Sequence, residues 1–298
     1  MKMFKGVWVA LVTPFQNGKI DTDAMRRLVT DLAAAGVSGF VPLGTTGEAS
    51  TLSLDERKTV IKLCLEAAGD VPVVPGCGTN NTAQSIELVK LASDLGAQGA
   101  MVITPYYNKP TQKGLIEHFT AIADSTALPL MLYNVPGRTS VNMLPDTVDT
   151  LADHKNIQSL KEASGNLEQI SDICDRVRGR MNVLSGDDAL TLPIMSVGGT
   201  GVVSVVTHVI PEAVVKMVEL ILDNELKRAL PWHRVAYPVT KAMFIETSPG
   251  PVKYALELQG KIKNELRLPM VPVGEKSREV IQQVLKEYEL FTAVSNND

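Results

Sequence analysis

The sequence predicts an α/β fold, a (β/α)8 TIM barrel with a C-terminal helical appendage, from three observations. Short β-branched runs alternate with amphipathic helical segments from Val7 to about Asn224, and such alternation requires a parallel sheet. Apolar runs such as residues 101–103 are typical of strands buried on both faces. Eight strand–helix units occupy roughly 220 residues, a length that suits a closed barrel. The first βα turn, residues 13–18, lacks the GxGxxG motif that an open doubly wound sheet would more naturally carry.

Each element has its own local signal. Asp21 is a typical N-cap for the first helix, and Ser53 with Glu56 forms a capping box at the start of the second. The β-branched runs predict strands at residues 7–15, 39–44, 71–76, 99–105, 128–135, 157–164, 181–185 and 201–206. The apolar periodicity predicts the later helices at residues 82–95, 112–125, 144–152, 167–177, 190–197 and 211–223.

The pattern becomes helical after residue 224. Helices are predicted at residues 225–246, 252–258 and 275–288, and Pro231 and Pro238 are expected to kink or split the first of them. We therefore predict a catalytic barrel domain at residues 1–224 and a C-terminal helical region at residues 225–298. A small separate C-terminal domain stays open as an alternative.

Composition excludes several functional classes. The 298 residues are 45% hydrophobic and 21% charged, which is typical of a folded, soluble protein. The net charge is -4 with Lys and Arg scattered along the chain, so no nucleic-acid partner is expected. No leader-like segment and no run of about 18 apolar residues occurs, so we expect no membrane partner and a cytoplasmic location. The three cysteines and four histidines form no CxxC, HxH or HExxH motif, and neither a metal nor an organic cofactor is predicted.

One lysine stands where a buried strand would normally carry another aliphatic side chain. Lys161 lies in the predicted strand 157–164. Burial disfavours the ammonium form, so the pKa of Lys161 should fall from about 10.4 toward neutrality, and a neutral amine can attack a ketone. Two alternatives are a lysine that reaches solvent from the strand end and one that pairs with a carboxylate such as Glu162.

Other polar side chains follow neighbouring strands at the end of the barrel where such folds have their active sites. Thr45 and Thr46, between two glycines, can offer N–H groups and hydroxyls to a small carboxylate, although such a turn is more often only structural. Tyr133 can move protons through Thr45 if a neighbouring cationic imine lowers its pKa, and Arg138 offers a forked donor to a second carboxylate. Taken singly, a tyrosine or arginine there is usually a packing residue or a solvated cation.

These residues resemble those of the pyruvate-dependent class I aldolase and lyase family. The motifs are Gly-Thr-Thr-Gly-Glu at 44–48, Thr-Pro-Tyr-Tyr-Asn at 104–108, Tyr-Asn-Val-Pro-Gly-Arg at 133–138 and Lys-Glu-Ala at 161–163, and the resemblance runs from about residue 6 to about residue 290. Within the family, the chain is most similar to the synthases that condense pyruvate with aspartate 4-semialdehyde in lysine and diaminopimelate biosynthesis.

The resemblance implies a role for each matching residue. Lys161 would form the imine with pyruvate. Tyr133, Thr45 and Tyr107 would relay protons, with Tyr107 donated across a subunit interface of a homotetramer. Thr45 and Thr46 would hold the pyruvate carboxylate, Arg138 that of the semialdehyde, and Gly186 and Val203 would line the pocket through backbone carbonyls.

Other functions stay open at this stage. One alternative is a related pyruvate aldolase, such as an N-acetylneuraminate lyase, which shares the lysine and the tyrosine, or a 4-hydroxy-2-oxoglutarate lyase. Another is a non-catalytic keto-acid-binding protein that has kept the pocket. Family members inhibited by lysine carry histidines at the positions of Leu54 and Arg57 and glutamate at that of Gln84, whereas Asn80 and Tyr106 fit their pattern. Feedback inhibition by lysine is therefore predicted to be weak or absent.

Overall fold

The computed structural model describes residues 3–295, and the ends of the two predicted regions, residues 1–2 and 296–298, lie outside it. Seven parallel strands form one sheet in the order β4-β1-β9-β8-β7-β6-β5, and β2 and β3 form a separate antiparallel hairpin. The strands are β1 Gly6–Val9, β2 Phe15–Gln16, β3 Lys19–Ile20, β4 Gly39–Phe40, β5 Ala100–Ile103, β6 Leu130–Asn134, β7 Ile157–Glu162, β8 Asn182–Ser185 and β9 Gly201–Ser204. Within residues 3–295, no helix is both long and apolar enough to cross a lipid bilayer.

The segment predicted as the third strand closes the barrel without forming a regular strand. Val73 bridges Phe40 of β4 and Gly76 bridges Met101 of β5, both in parallel, so this segment joins the two edges of the sheet. Pro72 and Pro75 accept backbone hydrogen bonds from Phe40 and Met101 at 2.9 Å each, but they have no N–H to donate. The predicted (β/α)8 barrel is confirmed, with its third strand reduced to two bridges.

The first predicted strand is also shorter than expected. β1 ends at Val9, and Phe15 belongs to the β2–β3 hairpin. The helices that alternate with the strands are α1 Thr22–Ala34, α2 Leu54–Ala67, α3 Thr82–Asp94, α4 Gln112–Asp124, α5 Pro136–Thr139, α6 Pro145–Leu151, α7 Leu167–Arg176, α8 Thr191–Ser196 and α9 Pro211–Leu222. Both predicted caps are confirmed, since Asp21 accepts from the N–H of Ala24 and the Ser53–Glu56 capping box is complete.

The C-terminal region consists of α10 Leu226–Met243, α11 Gly250–Leu258 and α12 Glu275–Ser295. Of the predicted kink or split at the prolines, the split is wrong, because α10 runs through both Pro231 and Pro238, and the kink stays a prediction. Both prolines lie on its exposed side, where water can bind the carbonyls that lose a donor. Core residues of this region, such as Met243 and Ile281, belong to the same hydrophobic cluster as the barrel strands. The boundary at residue 224 stays a prediction.

Candidate active site

A cavity of about 330 Å³ lies at the carboxyl ends of the barrel strands. It is lined by six of the eight predicted site residues, which are Thr45, Thr46, Tyr133, Arg138, Lys161 and Gly186. These residues come from four different βα connections and strands, and the closed sheet brings them to one pocket. Residues of the C-terminal region, Thr240, Lys241, Phe244 and Ser248, complete the wall.

Lys161 is a buried amine without a partner. It lies in β7 directly beside Tyr133 of β6, is 6% exposed, and its Nζ is 4.1 Å from the centroid of the Tyr133 ring. Within residues 3–295 its amine makes no hydrogen bond or ion pair. Burial lowers the pKa of Lys161 to about 8, the Arg138 guanidinium acts in the same direction, and the Asp188 carboxylate opposes them. The predicted fall of this pKa toward neutrality is confirmed.

Glu162 does not pair with Lys161. Its carboxylate accepts from Nδ2 of Asn134 at 3.0 Å and from the N–H of Ser164 at 2.6 Å. Successive side chains of a strand point to opposite faces, so Glu162 is directed away from the cavity. Lys161 is also buried away from bulk water. The two alternatives to a nucleophilic amine, a lysine that reaches solvent and a lysine paired with a carboxylate such as Glu162, are therefore wrong.

Tyr133 is a protonated phenol in the free protein. Burial raises its pKa to about 12, with Arg138 lowering and Glu162 raising it to a smaller extent. The predicted lowering of this pKa depends on a cationic imine at Lys161, and it stays a prediction. Within the described residues no hydrogen bond joins the hydroxyls of Tyr133 and Thr45, so the free protein holds no preformed relay between them.

The 44–48 loop, which is Gly44 to Glu48, turns tightly and leaves two N–H groups unused. The N–H of Gly47 donates to the carbonyl of Gly44 at 3.1 Å, and that of Glu48 donates to the carbonyl of Thr45 at 3.0 Å. Within residues 3–295 the N–H groups of Thr45 and Thr46 make no hydrogen bond. This arrangement of consecutive free donors suits a small carboxylate.

Gly186 leaves room for the Lys161 side chain. A Cβ at residue 186 would lie 3.1 Å from Cγ and 3.2 Å from Cε of Lys161, and 2.9 Å from Cβ of Ala163. A side chain at this position would therefore crowd both Ala163 and the stem of Lys161. The side-chain contact, rather than only a backbone carbonyl, therefore explains why glycine stands at this position.

Arg138 follows β6 in the short helix α5, where its N–H donates to the carbonyl of Val135 at 2.9 Å. Its guanidinium lines the cavity and is exposed. Within the described residues this guanidinium has no carboxylate partner, so it is available to an anionic ligand.

Two predicted site residues lie outside the cavity of their own chain. Tyr107 is 89% exposed, has a left-handed backbone with φ of 73°, and does not line the pocket. Val203 is buried two residues deeper in the barrel than Val205, which lines the cavity instead.

Sequence reasoning assigned no role to two buried polar groups at this end of the barrel. Asp188 is 6% exposed, its Oδ2 accepts from the N–H of Val205 at 2.9 Å, and its Oδ1 has no partner. Burial raises the pKa of Asp188 to about 6. The position of Asp187 and Asp188 after a strand was a usable signal. Ser248, whose buried Oγ also lacks a partner, lies in the C-terminal region, where no pattern connects it to the barrel.

Comparisons with known proteins give matches over nearly the full length of this chain. The family model described as the dihydrodipicolinate synthetase family matches residues 3–288. A 4-hydroxy-tetrahydrodipicolinate synthase of Geobacter metallireducens is 48% identical over 290 residues, which cover 97% of this chain and 100% of the relative. A dihydrodipicolinate synthase crystal structure from Thermotoga maritima matches with a TM-score of 0.95 and 45% identity, covering 97% of this chain and 99% of that one. A monomeric dihydrodipicolinate synthase variant matches with a TM-score of 0.95 and 44% identity, covering 97% and 98%.

Proposed function

The chain belongs to the dihydrodipicolinate synthetase family, and from this premise we propose that it condenses pyruvate with L-aspartate 4-semialdehyde to 4-hydroxy-tetrahydrodipicolinate. The observation that carries the proposal is the unpartnered, buried amine of Lys161, 4.1 Å from the ring centroid of Tyr133 in a cavity with free N–H donors. The product is an intermediate of lysine and diaminopimelate biosynthesis. A cytoplasmic location stays a prediction.

The first stage forms an imine. The neutral amine of Lys161 attacks C2 of pyruvate while the N–H groups of Thr45 and Thr46 hold the carboxylate. The resulting carbinolamine loses its hydroxyl as water, with the proton supplied by the phenol of Tyr133. Burial keeps this phenol protonated in the free protein, and the cationic imine and Arg138 stabilise the phenolate left behind, which offsets the high pKa of about 12.

The second stage joins the carbon chains. The Tyr133 phenolate removes a proton from C3 of the imine, which gives a neutral enamine and restores the phenol. C3 then attacks the aldehyde carbon of the semialdehyde, whose oxygen takes up a proton, while Arg138 binds its carboxylate. The amino group of the new chain finally attacks C2, closes the ring and releases Lys161. No redox step is needed, and each proton removed is returned to an oxygen or a nitrogen.

We propose that a second copy of the chain completes the relay in a homotetramer. Tyr107 is exposed and is not among the residues that line the Lys161 cavity of its own chain, and its neighbour Tyr106, 40% exposed, lines an adjoining pocket that shares Thr45, Tyr133 and Arg138 with this cavity. An exposed aromatic pair with a defined backbone suits a subunit contact. One of the similar solved structures is a monomeric variant, so the molecular mass of this protein in solution tests the proposed tetramer directly.

Borohydride trapping tests the proposed function. Reduction in the presence of labelled pyruvate should attach a three-carbon acid to the peptide that contains Lys161, as located by mass spectrometry. A keto-acid-binding protein would bind pyruvate without this adduct. A coupled assay with aspartate 4-semialdehyde then separates the proposed reaction from the N-acetylneuraminate and 4-hydroxy-2-oxoglutarate lyases, whose preferred aldehydes differ.

Arg138→Ala tests the role of the guanidinium. The variant should form the pyruvate adduct at a rate within about threefold of wild type, whereas kcat/KM for the semialdehyde should fall about 100-fold or more, because a bidentate carboxylate contact is lost. An equal loss of adduct formation and of semialdehyde use would contradict this assignment.

A further inference from the structure

A buried ion pair at the base of the 44–48 loop takes no part in the imine chemistry. Glu48 ends this loop and Lys253 lies in α11, so the pair joins the barrel to the C-terminal region across 205 residues of sequence. The two side chains are 1% and 0% exposed. We propose that this ion pair is a positioning device that holds Thr45 and Thr46 in the conformation that binds the pyruvate carboxylate. The inference rests on the proposed function.

The backbone of Glu48 requires such an anchor. Its φ of 51° lies in the left-handed region, which a residue with a side chain keeps only when its surroundings hold it there. Nζ of Lys253 donates to Oε1 of Glu48, and the N–H of Arg267 donates to Oε2 at 2.9 Å. Both carboxylate oxygens are thereby fixed by the C-terminal region. The hydrogen bond from the N–H of Glu48 to the carbonyl of Thr45 transmits this constraint to the loop.

The pair also makes the loop electrostatically suitable for an anion. A bare carboxylate at residue 48 would repel a carboxylate held by the N–H groups of Thr45 and Thr46. Lys253 neutralises it, and Lys253 itself is held by the carbonyl of Glu265 at 2.8 Å and lies 4.3 Å from the centroid of the Phe15 ring. Burial lowers the pKa of Lys253, and the adjacent Glu48 carboxylate opposes this shift.

The test removes both charges together, because a buried pair replaced as a unit tends to leave a folded protein. In the double variant Glu48→Gln/Lys253→Met, KM for pyruvate should rise about tenfold, whereas KM for the semialdehyde should stay within about twofold. The pyruvate concentration that gives half-maximal borohydride trapping should rise in parallel. A general loss of structure would raise both KM values and lower kcat.

Glu56→Gln is the matched control. Glu56 forms an ion pair with Arg267 and so ties the same C-terminal segment to α2, but it makes no contact with the 44–48 loop. Glutamine keeps the capping box at Ser53. Glu56 binds the guanidinium of Arg267, whereas Glu48 is bound by the backbone N–H of Arg267, so this variant should keep the wild-type KM for pyruvate.

Three results would overturn the positioning role. They are a folded double variant with the wild-type KM for pyruvate, an equal rise of both KM values, and the same rise in Glu56→Gln. If the double variant does not fold, Glu48→Asp keeps the charge and withdraws the carboxylate by one methylene, and it should raise KM for pyruvate about threefold or more. Absence of any pyruvate adduct in wild type would instead contradict the proposed function.

Discussion

Two buried lysines lie near the candidate active site, one in the cavity and one beside the 44–48 loop, and they differ in their partners. Lys161 in the barrel is 6% exposed and Lys253 in the C-terminal region is 0% exposed. Each amine lies over an aromatic ring, at 4.1 Å from the centroid of Tyr133 and 4.3 Å from that of Phe15. Lys253 is paired with Glu48 and bound to a backbone carbonyl, whereas the amine of Lys161 has neither kind of contact within residues 3–295.

The comparison teaches that burial alone does not make a lysine a nucleophile. Desolvation lowers the pKa of both amines, but at Lys253 an adjacent carboxylate in direct contact opposes this shift and pairs with the amine. At Lys161 the nearest compensating charge is Asp188, which acts without a direct contact. The same side chain is therefore a reactive amine in one place and a structural cation in the other.

The largest expected effect comes from Lys161→Met. Because the nucleophile is removed, kcat should fall by at least about 10⁴-fold and the borohydride adduct should vanish. The free energy of unfolding should stay equal or rise, since an amine without a partner is replaced by an apolar side chain. Circular dichroism and thermal melts provide the second measurement, and a variant that unfolds easily would contradict the comparison.

Lys253→Met should have the opposite pattern. It leaves the Glu48 carboxylate buried without its partner, which should cost about 3–5 kcal/mol of unfolding free energy. Urea unfolding monitored by circular dichroism measures this loss. Adding Glu48→Gln to the same chain should restore most of the stability. Equal destabilisation by the single and double variants would mean that packing of the lysine stem, rather than the charge pair, stabilises the contact between the barrel and the C-terminal region.

The pH dependence of imine formation should follow the ionisation of Lys161, which, unlike Lys253, has no carboxylate in direct contact. With a pKa of about 8, the neutral fraction of Lys161 and the rate of imine formation should rise about fivefold from pH 7 to pH 8. Asp188→Asn removes the carboxylate that raises this pKa, so the midpoint should move to lower pH. Single-turnover trapping across pH 6 to 10 measures both profiles, and an unchanged midpoint in Asp188→Asn would exclude its influence on the amine.

The smallest effect is expected from free L-lysine. The ammonium of a bound lysine needs a carboxylate, as Lys253 needs Glu48. At the positions where lysine-inhibited family members carry histidine and glutamate, this chain carries Arg57 and Gln84. Arg57 already donates to the carbonyl of Ala49 at 2.6 Å. Millimolar L-lysine, about 1 mM, should therefore change the initial rate by less than about twofold. Strong inhibition in a steady-state assay would show that another group binds the ammonium.

Local patterns in the sequence were enough to predict the barrel, both helix caps and the lysine strand. These features depend on hydrophobic periodicity and on short-range hydrogen bonds, which a sequence displays directly. The third strand was overestimated because Pro72 and Pro75 keep their carbonyls in the sheet but donate no N–H. The uninterrupted α10 was missed because the exposure of its prolines depends on tertiary packing.

The site was predictable as a set of residues but not as a set of contacts. Position near the carboxyl end of a strand, for Lys161 and Tyr133, or just after one, for Arg138, identified these residues, since the strand ends of a barrel converge. The Glu48–Lys253 pair joins residues 205 positions apart, and neither residue carries a local signal for the other. The protonation state of the Tyr133 phenol in the free protein also depends on burial, which the sequence does not give.

The most direct test of the nucleophilic amine is an NMR titration of the protein with ¹³C-labelled lysine side chains. One Cε resonance should titrate with a midpoint of about 8 and be missing from the spectrum of Lys161→Met. A Lys161 resonance that titrates near the ordinary lysine value of about 10.4 would contradict the account, because the amine would then be a charged ammonium throughout the physiological range.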